Sequence, residues 1–196
     1  MTKVIIEDVG RFNHQYPKTA VIVTAQAKGK KNAMAVAWHT PISYKPPLYG
    51  ISVFVKRFTY ELIIESQELG INFLPLEAAE LIAAVGGSGG RYVDKFQRFN
   101  IALDKPTKTE VPILEAAYAA YECKLVDDRD RGDHQLLVGE VVAVHLLKEA
   151  FTAEGVLDLN QVSPALFLGL DYYVSPDKNS LRHLDRKVYG RVLKED

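Results

Sequence analysis

Cysteine is almost missing from this chain. Cys123 stands alone among 196 residues, so no disulfide can close within one copy and a zinc site built from several cysteines is excluded. Its alternating neighbours, Tyr121 to Leu125, read as a strand that buries an inert thiol. Excess charge is missing too. The 24 basic and 25 acidic side chains leave a net charge of -1, so no global field recruits nucleic acid or an anionic membrane surface. No apolar run approaches the roughly 20 residues that cross a bilayer. The start is acidic too early, at Glu7-Asp8, for a secretory signal, and a cytoplasmic protein is the expectation. His14, His39, His134, His145 and His183 include no pair at metal-ligand helical spacing, so no metal site is expected. There is no Gly-x-Ser-x-Gly elbow, no local Cys-His signature, no internal repeat and no low-complexity linker. What remains is 47% hydrophobic and 25% charged, the balance of one folded domain over residues 1–196 with a real core.

The first half is rich in strand signals. Ala20 to Ala25 is apolar and β-branched, Gly29-Lys30-Lys31-Asn32 turns the chain, and Ala33 to Thr40 reads as the next strand. Pro46-Pro47 opens a third, Leu48 to Val55, and the short spacing favours antiparallel pairing. Thr59 is placed to cap a helix. Ile71 to Leu74 returns as a strand, Leu76 to Val85 forms a second helix ended by Gly86-Gly87, and Val93 to Gln97 a short third. Two long strands, Tyr118 to Val126 and Gln135 to Leu147, flank a polar loop from Asp127 to Asp133. From about residue 163 the tail reads as loop, with no regular element. The whole is a mainly β, antiparallel Greek-key barrel with inserted helices, not a set of parallel βαβ units.

Alternation places Ala33, Ala35 and Ala37 on one face of their strand, with Met34, Val36 and Trp38 on the other. Alanine is a weak strand former, so three in alternation ask for a reason. Either a helix or second sheet packs tightly there, or a planar ligand lies against the bare face. Trp38 reads as core. Downstream, Lys56-Arg57-Phe58-Thr59 puts cations and a hydroxyl at a helix start, which suits either a solvated surface helix or a phosphate. The run Gly86-Gly87-Ser88-Gly89-Gly90 lacks the Lys-Ser or Lys-Thr of a phosphate-binding loop and follows a helix, so on its own it reads as a flexible helix exit.

In order, Thr24, Gly29, Asn32, Met34, Trp38, Pro46-Pro47, Arg57 and Thr59 match one pattern; so do Ile71-Asn72-Phe73, the segment Ser88 to Phe96, Glu122-Cys123, Gly132-Asp133-His134 and Val138 to Val141. Across roughly Tyr16 to Leu146 the chain resembles the flavin reductase-like FMN-binding split-barrel family, which includes flavin reductases, flavoredoxins and ferric reductases. The resemblance implies a split barrel holding FMN, with NADH or NADPH as electron donor, in a homodimer. It implies flavin contacts from Thr24, Asn32, Ala33, Met34, Ala35 and Ala37, and phosphate contacts from Arg57 and Thr59 with Ser52 as an added donor. Lys95 and Arg91 follow as further phosphate or donor contacts, and His134 as the residue near the flavin that meets the nicotinamide. Ala35 and Ala37 stand where the family more often has Thr or Ser. The implied activity carries electrons through flavin to free flavin, ferric complexes or a protein partner; the alternative is a flavoredoxin-like carrier without nicotinamide turnover.

Overall fold

The computed structural model describes residues 1–10 and 12–190. Twelve strands alternate with short helices: β1 Lys18–Thr19, β2 Val21–Ala27, β3 Lys30–Val36, β4 His39–Tyr44, β5 Pro47–Phe54, α1 Phe58–Ser66, β6 Glu68–Phe73, α2 Ala79–Gly87, α3 Lys95–Arg98, β7 Leu103–Asp104, β8 Ile113–Leu114, β9 Ala119–Arg131, β10 His134–Leu146, β11 Leu166–Gly169, β12 Tyr172–Val174 and α4 Arg186–Tyr189. The main sheet is antiparallel, in the order β3-β2-β6-β9-β10-β5-β4. Its two ends, β3 and β4, are separated in the chain by only Ala37 and Trp38. Two residues cannot span an open seven-stranded sheet, whose strands lie about 4.8 Å apart. The sheet therefore curls until its edges meet, and the split in the barrel falls at this junction. Ser52 N–H donates to Trp38 O at 2.8 Å and ties the junction to β5. The step from β5 to β6 through α1 passes over β9 and β10, which gives the Greek-key path.

Strand β2 is covered on both faces, as its uninterrupted apolar sequence requires. Val21, Val23 and Ala25 join Ile51, Ile63, Leu69, Ile71 and Leu137 inside the barrel. Ile22, from the other face, packs with Ala33, Ile82, Val85 and Phe96 in an outer layer under α2 and α3. Cys123 is buried in the barrel interior, and burial there pushes its thiol up to about 12, so it is inert.

Several expectations change. The strand expected over Ala33 to Thr40 is two strands that break where the barrel splits. The turn lies at Lys28 and Gly29, both with positive φ, the geometry of a two-residue hairpin, so Lys30 to Asn32 already belong to β3. Thr59 does not cap α1. Arg57 occupies the cap position without a side-chain bond, and Thr59 lies buried in the first turn, where its hydroxyl accepts from Asn32 Nδ2 at 2.9 Å. The polar stretch 127–133 is mostly strand, with a turn of only Gly132 and Asp133. Beyond Leu125, whose N–H donates to Gln67 O at 2.8 Å, β9 pairs only with β10 among the described residues, and most of its side chains there are exposed. The tail is not all loop: β11 and β12 complete a three-stranded sheet with β1, a pairing across nearly 150 residues that no local signal announces.

Candidate functional site

The elements that meet at the split enclose two adjoining clefts. The first, about 320 Å³, lies between β3, the start of α1 and the glycine-rich exit from α2. The second, about 230 Å³, is lined by Tyr16, Ala37, Trp38, Ser52, Phe54 and His134. Met34, Ala35 and Arg57 line both, so the two clefts adjoin.

The first cleft is cationic. Lys56, Arg57 and Lys95 line it together with Thr59 and the segment Ser88 to Arg91. The α1 helix begins there, and its first-turn amides add the positive end of a helix dipole. Lys95 is 4% exposed, and its ammonium donates to Ala33 O at 2.8 Å and Val85 O at 2.7 Å. An ammonium carries three hydrogens, so one remains for the cleft that this side chain lines. Burial, and then the charge of Arg57, lower its pKa to about 8. The glycine run closes the cleft from above. A Cβ at Gly90 would sit 2.3 Å from the Asn32 amide group, so only glycine lets this backbone reach Asn32.

The second cleft is aromatic. The Trp38 ring lies 5.1 Å from that of His134, and Trp38 Nε1 donates to Tyr16 Oη at 3.2 Å. The Phe54 ring lies 5.8 Å from the His134 ring. Register explains the arrangement, because His134 pairs with Phe54 directly across β5 and β10. Asp133 Oδ1 is 2.6 Å from His134 Nδ1, so the carboxylate accepts the Nδ1 hydrogen and Nε2 is the nitrogen left free.

Of the residues singled out in the sequence, Asn32, Met34, Ala35, Arg57, Thr59 and Lys95 meet in the first cleft; Ala37, Ser52 and His134 line the second. Two do not reach either. Thr24 is fully buried, with its hydroxyl donating to Pro112 O at 2.6 Å, and Ala33 packs in the outer core, taking part only through the carbonyl that receives Lys95. The alanine face answers both readings given for it. Ala33 and Ala35 lie under α2, where a Cβ at Gly86 would be 3.3 Å from that of Ala35, while Ala35 and Ala37 also line the second cleft. Trp38 is not core: it is 37% exposed and forms a wall of the aromatic cleft, because the chain changes sheet edges at this residue. Tyr16 and Phe54 were not legible as site residues. Tyr16 precedes the barrel in an irregular segment, and Phe54 looks like any strand-end aromatic.

The low Lys95 pKa carries a prediction. A group with its pKa near 8 in the free protein is charged below that pH and neutral above it. Affinity for a phosphate-bearing ligand in this cleft is therefore expected to fall as the pH rises from 7 through 9, and Lys95→Met to flatten that slope. Flavin-fluorescence titrations across the range measure both.

The chain is similar to several known proteins. A family model, flavin reductase like domain, matches residues 13–172. The FMN-binding protein of Thermus thermophilus, solved with 1-cyclohex-2-enone and with p-hydroxybenzaldehyde bound, is 30% identical; in the first of these the TM-score is 0.82 over 93% of this chain and 99% of that one. A ferric-chelate reductase (NAD(P)H) of Archaeoglobus fulgidus is 31% identical over 130 residues, 66% of this chain and 76% of that protein. An uncharacterized protein of Aeropyrum pernix is 28% identical over 79% of this chain, which spans 58% of that protein's length.

Proposed function

Because the chain belongs to the flavin reductase-like domain family, we propose that it is one FMN-binding oxidoreductase domain passing electrons from NADH or NADPH to free flavin, a ferric complex or a protein partner. The observation that carries this reading is the adjacency of a cationic cleft and an aromatic one across Met34, Ala35 and Arg57. A flat ring with a phosphate tail is the ligand shape that such a pair of clefts takes.

Each residue then has a task. Arg57, Thr59, Lys95 and the α1 amides hold the phosphate; Asn32, bonded to Thr59, fixes the wall between phosphate and ring. Ala35 and Ala37 leave the β3 backbone open to the ring. Trp38 and Phe54 lie beside His134, keeping its imidazole at the mouth of the aromatic cleft. FMN when bound supplies reversible electron transfer, and the protein supplies position, electrostatics and exclusion of water. That the Thermus thermophilus protein binds an enone and an aldehyde supports a small planar carbonyl compound as one class of ligand for the aromatic cleft. The A. fulgidus reductase supports ferric complexes as a second class and NAD(P)H as donor.

The test is anaerobic. Protein loaded with FMN is mixed with NADH or NADPH, and loss of the flavin absorption band is followed. Bleaching on mixing supports the reading. A band that persists with both nucleotides but bleaches with dithionite replaces it with an electron carrier. His134→Asn is expected to slow bleaching by up to about 10²-fold, the cost of a nicotinamide misplaced by about 1 Å, with a smaller effect on FMN affinity, which stopped-flow and equilibrium titration separate.

We also infer a homodimer. A broad apolar cleft of about 1090 Å³ on β4, β5 and β10 includes Tyr44, Val144 and Leu146, exposed at 93%, 53% and 55%. A patch of this kind on a water-soluble protein marks an association surface. Light scattering is expected to give twice the 21.9 kDa chain mass, and Tyr44→Asp is expected to halve it.

A further inference from the structure

Tyr16 lines the aromatic cleft but has no task in the proposed reaction. Its oxygen accepts the indole hydrogen of Trp38 at 3.2 Å, and its own hydroxyl hydrogen goes to no acceptor among the described residues. A phenol whose oxygen already accepts from a donor is left as a donor itself, and the bond it accepts polarises its O–H further.

The fold holds this hydroxyl in place. The Tyr16 ring meets Phe167 edge to face at 5.3 Å. A Cβ at Gly169 would lie 3.5 Å from the same ring, so the β11 backbone runs close against it. Phe167 pairs with Lys18 of β1, only two residues after Tyr16. The three-stranded sheet of the tail thus fixes an irregular N-terminal segment against the cleft. The other polar side chains lining the cleft are not equivalent donors. Arg57 is engaged by the phosphate on the reading above, and the Ser52 hydroxyl is free to turn either way. His134, with its Nδ1 hydrogen given to Asp133, offers the acceptor nitrogen of a neutral imidazole.

Walls formed by Trp38, Phe54 and His134 select a flat molecule. A single held O–H donor beside such walls suits an oxygen lying in that molecule's plane, and a carbonyl conjugated with a ring is such an oxygen. On the flavin reading proposed above, we infer that Tyr16 is a specificity-determining residue whose hydroxyl donates to the carbonyl oxygen of the flat molecule that exchanges electrons with the flavin. Two molecules bring this chemistry: the nicotinamide donor, through its carboxamide, and a carbonyl-bearing electron acceptor.

Binding without turnover tests this. FMN-loaded protein is titrated with two matched pairs of probes, 1-methylnicotinamide against 1-methylpyridinium and benzaldehyde against toluene. The flavin absorption band reports binding, and the infrared C=O stretch of the bound probe reports the hydrogen bond. Tyr16→Phe keeps the ring that meets Phe167. It is expected to weaken a carbonyl-bearing probe by up to about tenfold, the scale of one neutral hydrogen bond, and to raise that probe's C=O stretch. The carbonyl-free probes and FMN are expected to bind as they do to the wild type. A loss for 1-methylnicotinamide alone assigns the bond to the electron donor, a loss for benzaldehyde alone to the acceptor, and a loss for both to each in turn; all three support the inference. Equal losses within each pair overturn it and leave Tyr16 as a wall. A fall in FMN affinity also overturns it, since the hydroxyl then serves the flavin. Should the variant fail to fold, the wild-type spectra decide: C=O stretches no lower than the probes show in an aprotic solvent mean that no donor is present. Probes that do not bind FMN-loaded protein overturn the inference and leave the flavin site intact. Failure to bind FMN at all is a different outcome, because it removes the flavin reading itself.

Discussion

Arg57→Ala is expected to weaken FMN binding by at least about tenfold, since hydrogen bonds to a charged group contribute roughly 1.5–3 kcal/mol. The loss is confined to the phosphate. Arg57 lines both clefts, but its guanidinium is the group that matches a phosphate with paired hydrogen bonds. Riboflavin, which lacks the phosphate, is therefore expected to bind the variant as it binds the wild type. Lys56 does not compensate, because an exposed lysine is a mobile point charge without the planar fork. Titration of both flavins against both proteins measures the effect. A uniform loss for FMN and riboflavin would assign Arg57 to the ring or to the fold instead.

The second large effect is on stability. Glu122 is fully buried beneath the segment 107–109 and receives six donors. Oε1 accepts from Thr107 N at 2.7 Å, Thr107 Oγ1 at 2.9 Å and His145 Nε2 at 2.7 Å; Oε2 accepts from Lys108 N at 2.8 Å, Thr109 N at 2.7 Å and Thr109 Oγ1 at 2.8 Å. Glutamine keeps the shape but has one acceptor oxygen, so its NH₂ would face three donors. Glu122→Gln is expected to cost about 3–5 kcal/mol and to lower Tm by about 10 °C for a chain of this size, which calorimetry reads directly.

The same carboxylate sets a pH dependence. Burial alone would raise its pKa, but the bonds from His145, Thr107, Lys108 and Thr109 outweigh burial and hold it well below the ordinary value of 4.5. A depressed carboxylate contributes stability that is complete above its unfolded pKa and lost as pH falls toward the folded one. Wild type is thus expected to lose stability below about pH 4.5, and Glu122→Gln to lose less over that range.

These effects also show what could be read from the sequence and what could not. The barrel was legible because β2, β5, β9 and β10 carry patterns that local chemistry enforces: β-branched runs, Pro-Pro starts and polar hairpin ends. That Arg57 and Thr59 would line one cleft was legible because both sit at a helix start, a local feature. Thr24 was misassigned for the opposite reason. Its hydroxyl meets Pro112, 88 positions away, and nothing near either residue announces that bond. Trp38 looked like core because its strand appeared continuous, and only the break at the barrel's split turns it toward the cleft. Glu122 gave no sign of its role, since its six donors come from a loop and a neighbouring strand. Long-range partners, more than local propensity, decided these cases.

The most direct test of a flavin phosphate in the cationic cleft is to titrate flavin-free wild-type protein with FMN and with riboflavin and compare the dissociation constants. The account predicts one FMN per chain, bound about 100-fold more tightly than riboflavin. Equal binding of the two flavins, or no FMN bound, would contradict it.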